Sequence, residues 1–178
     1  MRSIRSCPIL PALLLFVLLA PPAVAAGRVH IQLLYKVPPA AATPSPDVVV
    51  TFENSRPEQE GGKDAKLIGQ IRAGTKVNDR LVADEAGSDL DSVVPRFFVD
   101  VLRSSGFAAQ AGGEPASPRV HVQVRSLWAD GDASARHARF EMTAAFHVQV
   151  FPPGAEAPTW EADVESRASE VVNFSFNE

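Results

Sequence analysis

Three of the four histidines in this chain occupy one five-letter frame, apolar-His-apolar-Gln-apolar: "VHIQL" at 29–33, "VHVQV" at 120–124 and "FHVQV" at 146–150. Imidazole titrates near neutral pH and ligates metals, so histidines gathered on one surface are candidates for proton transfer or for zinc or iron. In each frame His and Gln alternate with apolar residues, and alternate residues of a strand leave on the same face. The frames therefore predict strands with one dry side and one wet side that carries His and Gln. If one hairpin sets 121 opposite 147 and the next turn sets 147 opposite 163, His121, His147 and Asp163 form a row, with facing Cβ atoms about 4.5–5.5 Å apart. Two imidazoles and a carboxylate suit zinc or iron. A two-residue shift in either register keeps every face and gives His–Gln pairs instead, and a flat row lacks the convergence of a tetrahedral site. The ordinary wet face is thus the first expectation, and a metal-binding protein or metalloenzyme on His121, His147 and Asp163 is the alternative. No HExxH spacing adds to it.

Arg56 is the second residue of interest. It ends a predicted strand within "ENSRPE", where Glu53 and Glu58 are available to pair with it. An ion pair that fixes the loop is the simplest use of this group, and Arg56, Glu53 and Glu58 form a candidate binding surface. Trp128 and Trp160 alternate with core positions and read as packing anchors. The acidic series Glu161, Asp163 and Glu165 reads as a solvated face. "GGKD" at 61–64 lacks the rest of a phosphate-binding loop, and no GxSxG elbow occurs. Nothing in the sequence calls for a cofactor or a catalytic residue, and the expectation is a protein that is not an enzyme.

The elements that hold these residues follow from periodicity. Val29, Ile31, Leu33 and Tyr35 alternate with polar or flanking residues as a strand, and "VPPAAATPSP" at 37–46 breaks it as an extended connector. "DVVVTFENSR" at 47–56 is the next strand and "LIGQIRAG" at 67–74 a short third, with a further strand near Leu81–Ala83. Leu90, Val93, Val94, Phe97, Phe98, Val101 and Leu102 make one apolar stripe, which predicts a helix over about 91–105, capped by Asp91 or Ser92 and ended by Gly106. Phe107 is expected to fold back on Leu102. After a loop at 108–118 come three strands, with Val120, Val122, Val124, Ser126 and Trp128 on one face of the first, Phe140 through Val150 on the second and Trp160 through Ala168 on the third. The expected fold is a two-layer α+β domain, mainly antiparallel sheet, with the one principal helix on its dry side.

The chain's beginning concerns export. Arg2 and Arg5 precede the apolar run "ILPALLLFVLLA" at 9–20, and Ala23-Val24-Ala25 offers small residues for cleavage, so residues 1–26 read as a secretory signal peptide and 27–178 as a single domain. With it go two positive charges: Lys+Arg falls from 17 to 15 against 21 Asp+Glu, and net charge from −4 to −6. That sign argues against a nucleic-acid partner. Cys7 is the one cysteine and lies before the apolar run. A mature chain without a thiol has no disulfide and no lipobox cysteine to acylate, so lipid anchoring is not expected, nor is a transmembrane helix after cleavage.

With "VVVTFENSRPE", "LIG", a helix ending in "LRSSGF" and "VHVQVRSLWADG" in place, the chain resembles the YajG-like envelope lipoproteins over roughly residues 29–170. The resemblance implies a non-catalytic accessory or binding protein of the periplasm or cell envelope, secreted and partnered by another envelope protein. It departs from that pattern in lacking the acylated cysteine and in stopping at Glu178. The tail "EVVNFSFNE" keeps strand-like alternation at Val172, Phe174 and Phe176, which raises a third expectation: a structural subunit that self-associates.

Overall fold

The computed structural model describes residues 28–30, 45–73, 76–83, 86–113, 117–133 and 137–173. The remainder of the predicted first strand, the expected leader and Phe174 and Phe176 of the tail lie outside the described residues. The elements run β1 Arg28–His30, β2 Ser45–Asn54, β3 Leu67–Ala73, β4 Lys76–Val82, α1 Leu90–Ser104, β5 Phe107–Ala111, β6 Arg119–Ala133, β7 His137–Phe151 and β8 Trp160–Asn173. Among them no helix is long and apolar enough to cross a membrane.

The architecture is α+β, but the sheet is mixed, not mainly antiparallel. It is built around β6, which carries β7 and then β8 antiparallel along one edge. The other edge of β6 is shared. Its first half pairs in parallel with β2, and β2 in turn pairs in parallel with β5. Its second half pairs in parallel with β3, which continues through antiparallel β4 to parallel β1. β2 and β3 lie end to end along β6 and run the same way, joined by the loop at 55–66, and β5 returns to that direction after the β3–β4 hairpin and α1.

β5 lies where a loop was expected. "FAAQA" has no β-branched residue, so its local propensity is weak, and pairing with the buried valines of β2 supplies what the sequence does not advertise. Its start follows directly from the helix end, where Gly106 takes φ 92° as the left-handed residue beyond the cap.

α1 lies within one residue of the expected bounds, but its cap is neither Asp91 nor Ser92. Asp89 is the cap, its carboxylate accepting from the backbone N–H of Ser92 at 2.9 Å. Leu90, Val93, Val94, Phe97 and Val99 are buried against the sheet, and Phe98 meets the Phe146 ring of β7 edge-on, centroids 5.5 Å apart. The helix packs on β5 and β2, so the dry side is covered best there. Toward β8 the cover ends: Val164, which is opposite the buried Phe146, is 46% exposed.

The face assignment along β6 changes in mid-strand. Val120, Val122 and Val124 are buried as expected, but the next buried positions are Leu127, Ala129 and Gly131. A β-bulge causes this: Val124 faces Phe146 and Ser126 faces Ala145, so Arg125 is the extra residue. Beyond the bulge the alternation is out of phase with the first half, and Ser126 and Trp128 leave on the wet side. The expectation that they share the dry face with Val124 is therefore corrected, and Trp128 is half-buried on the outer face, not a core anchor.

Candidate functional site

The frames at 120–124 and 146–150 sit on antiparallel neighbours, and that orientation gives the repeated spelling its geometry. Where two strands run in opposite directions, equal His-x-Gln sequences face each other head to tail. His121 is opposite Gln149, and Gln123 is opposite His147. The flanking strands extend both pairs. β2 adds Thr51 beside His121 and Glu53 beside Gln123, and β8 adds Glu161 beside Gln149 and Asp163 beside His147. Two four-residue rows result: Thr51–His121–Gln149–Glu161 and Glu53–Gln123–His147–Asp163. His30 of the third frame lies in β1, at the far edge of the sheet.

The register that a His121–His147–Asp163 row requires is thus present on one side and not on the other. Residue 147 does face 163, but 121 does not face 147; the two-residue alternative is the one adopted. His121 and His147 are each next to a glutamine, and His121, His147 and Asp163 do not form a row. Among the described residues no three His, Cys, Asp or Glu side chains are grouped to hold a metal ion.

Instead each imidazole is occupied by its own row and the diagonal neighbour. His121 Nδ1 is 2.9 Å from the Thr51 hydroxyl and its Nε2 3.5 Å from a Glu53 carboxylate oxygen. His147 Nδ1 is 2.8 Å from Asp163, and its Nε2 lies 3.8 Å from Glu161. Asp163 also receives Arg125 at 3.0 Å, so the bulge residue joins the second row. Gln123 and Gln149 donate to Glu53 and Glu161 at 3.3 and 3.4 Å. Glu53 is held below the usual glutamate range, first by the Ser55 hydroxyl that donates to it at 2.9 Å and then by His121 and Gln123, with slight burial acting in the opposite sense. A hydroxyl, an imidazole and a carboxylate in line are the parts of a proton relay. Here the Glu53 side chain is more than half exposed.

Arg56 is somewhere else. Its side chain is 5% exposed, and Glu53 and Glu58 are not its hydrogen-bond partners. Nη1 donates to the carbonyls of Leu67 (2.8 Å) and Leu127 (3.3 Å), Nη2 to those of Asp64 (2.6 Å) and Gly62 (3.5 Å), and Nε to Asn54 Oδ1 (3.1 Å). The reason is the fork in the sheet. Between the last β2 pairing at Val124 and the first β3 pairing at Ala129, the edge of β6 has no strand beside it. The guanidinium takes the place of ladder donors there, because a buried carbonyl left without a partner is costly. Burial pulls its pKa down and Glu60, Asp64 and Asp91 pull it back up, and a guanidinium remains a cation under both influences. Arg56 is a structural staple inside the loop, and the surface expected from Arg56, Glu53 and Glu58 does not exist as a unit.

Periodicity missed two outer-face residues. Ser126 and Trp128 reach the wet side only through the bulge, and the single signal for it in the sequence is the adjacent polar pair Arg125-Ser126 between Val124 and Leu127. Trp160 was expected in the core and is 46% exposed at the start of β8.

No protein-family model and no curated protein sequence matches the chain. Among solved structures it is similar to protein XCC0632 from Xanthomonas campestris, of the bacterial DUF330 family, with TM-score 0.45 and 12% sequence identity over 75% of this chain and 77% of that one.

Proposed function

We propose that the protein is a non-catalytic accessory or binding domain of the bacterial cell envelope, of the YajG-like kind, exported by its leader and docking an envelope protein through the outer face of β2, β6, β7 and β8. The observation that carries this reading is the outward turn at the Arg125 bulge. It presents Trp128, half-buried, on the outer face that also carries Arg125 and the two polar rows. Trp and Arg dominate the energetics of protein interfaces because one offers a large rigid apolar area and the other a fork of donors. The rows around them have their hydrogen bonds made laterally, within the face, so a partner is met by an ordered surface with little side-chain entropy left to lose. Such a face favours docking over chemistry.

The test is capture from intact envelopes with the exported full chain, comparing the native sequence with Trp128→Ala. Loss of a hot-spot tryptophan weakens a complex by about 2 kcal/mol or more, roughly thirtyfold. The expected result is a co-purifying envelope protein that Trp128→Ala loses and that Lys63→Ala, on the loop at 55–66, retains. Capture that recovers nothing, or recovers the same proteins with both variants, would remove this reading. Mass spectrometry of the exported protein, expected to begin at Ala26 or Gly27, tests the compartment separately.

A further inference from the structure

We propose that β8 pairs antiparallel with β8 of a second copy, about a two-fold axis through Ser166, so that two sheets become one. This goes beyond the polar face described above and does not depend on it. Among the described residues β8 is hydrogen-bonded to β7 alone, and the 14-residue strand has its other edge free. Proteins usually blunt such an edge with a proline, a bulge, a lysine or a short strand. "WEADVESRASEVVN" has no proline, glycine or lysine, and its pairing with β7 runs from Trp160 to Asn173 without a register shift. The same strand leaves Trp160 and Val164 both 46% exposed, on the face that is dry one strand further in.

What selects a second copy is the charge pattern. β7 offers Glu161 and Asp163 the partners Gln149 and His147, but it sets Ala145 and Thr143 opposite Glu165 and Arg167. No carboxylate or cation of β7 therefore stands opposite these last two. In a symmetric antiparallel pair, residue i faces residue j with a constant sum of i and j, and both side chains share a face. Centred on Ser166, Glu165 of each copy faces Arg167 of the other, twice over, and Val164 faces Ala168 on the apolar side. Centring on Glu165 or Arg167 sets that charge against itself. Centring on Val164 sets Asp163 against Glu165, and centring on Ala168 pairs no opposite charges. Only the Ser166 register joins unlike charges without opposing like ones, and like charges across an interface are what exclude a register.

Sedimentation of the full exported chain over a range of concentrations gives the oligomeric state, and two kinds of variant give the register. Glu165→Arg and Arg167→Glu, each alone, are expected to weaken the dimer by about tenfold or more. The double exchange Glu165→Arg/Arg167→Glu is expected to restore it, and circular dichroism is expected to show all three folded. Ser166→Cys is expected to cross-link on mild oxidation, because directly facing Cα atoms sit about 4.5–5.5 Å apart, inside the disulfide range. Ser169→Cys is expected to remain uncross-linked, its counterpart lying six residues along, about 20 Å away. A chain that stays monomeric at every concentration overturns the proposal. So does a dimer indifferent to the single reversals, one not restored by the double exchange, or equal cross-linking at both positions.

Discussion

At the scale of single residues, the two features that looked alike in the sequence do opposite things. Arg56 holds the fold together from inside, while Glu53, three residues earlier, belongs to the wet face. Replacing Arg56 with lysine removes a planar fork that serves four carbonyls and supplies one point charge instead. Buried hydrogen bonds from a charged donor contribute about 1.5–3 kcal/mol each, so Arg56→Lys is expected to cost about 3 kcal/mol or more, read as a lower urea midpoint with unchanged slope. Glu53 gives a pH prediction. Its lowered pKa means the folded state prefers the carboxylate, so its small contribution to stability is present above the ordinary glutamate value and is lost as pH falls through the lowered one. In a carboxyl-carbon NMR titration, Ser55→Ala and His121→Ala are each expected to move Glu53 upward, because each removes a group that favours the carboxylate. A Glu53 titration unchanged in both variants would contradict this.

At the scale of elements, the sheet is assembled by close approach and by one irregularity. Gly69 lies where β3 meets β6, and a Cβ there would collide with the Ala129 carbonyl oxygen and the Leu81 side chain, both of which are fixed by the ladder and the core. Gly69→Ala is therefore expected to destabilise by about 1–3 kcal/mol, the usual range for overpacking, as measured by chemical denaturation. The helix was legible because its apolar stripe recurs every three or four residues; its true cap, Asp89, was not, since Asp91 and Ser92 are equally good capping residues by type. β5 was illegible for a different reason, its alanines carrying no strand preference of their own. Phe98 joins α1 to β7 through Phe146, and Phe98→Ala is expected to cost about 3 kcal/mol, with faster amide exchange confined to α1 and β5 if the element, not the whole domain, is loosened.

At the scale of the whole molecule, β6 is the shared spine: every branch of the sheet reaches it directly or through one or two neighbours. Amide exchange is expected to be slowest in β6 at 119–124 and 129–133, where strands flank it on both sides, and faster at the fork between them. The outer edge of β8 is expected to exchange quickly in dilute solution and to slow as concentration rises, as the two-fold pairing requires. Uniform exchange across β8 and β6 would contradict both the fork and the free edge. The proposed pairing of β8, resting on its free edge and exposed Trp160 and Val164, directs the first search for a partner to a second copy of the chain.

Period and residue type alone were enough to place α1, β2, β6, β7 and β8 and to assign His121, Gln123, His147 and Gln149 to one wet face. Alternation decides a face and a short turn limits a register, and both are local properties of the chain. Whether 121 meets 147 or 149 was beyond local information. A hairpin's register depends on its turn and on every bulge between, and the Arg125 bulge shifts the pairing of β6 with β7 and turns Trp128 outward. On the other edge of β6 the gap between β2 and β3 takes the Arg56 guanidinium, which reaches carbonyls distant in sequence. Those outcomes depend on how whole strands meet, and only the folded chain brings them together.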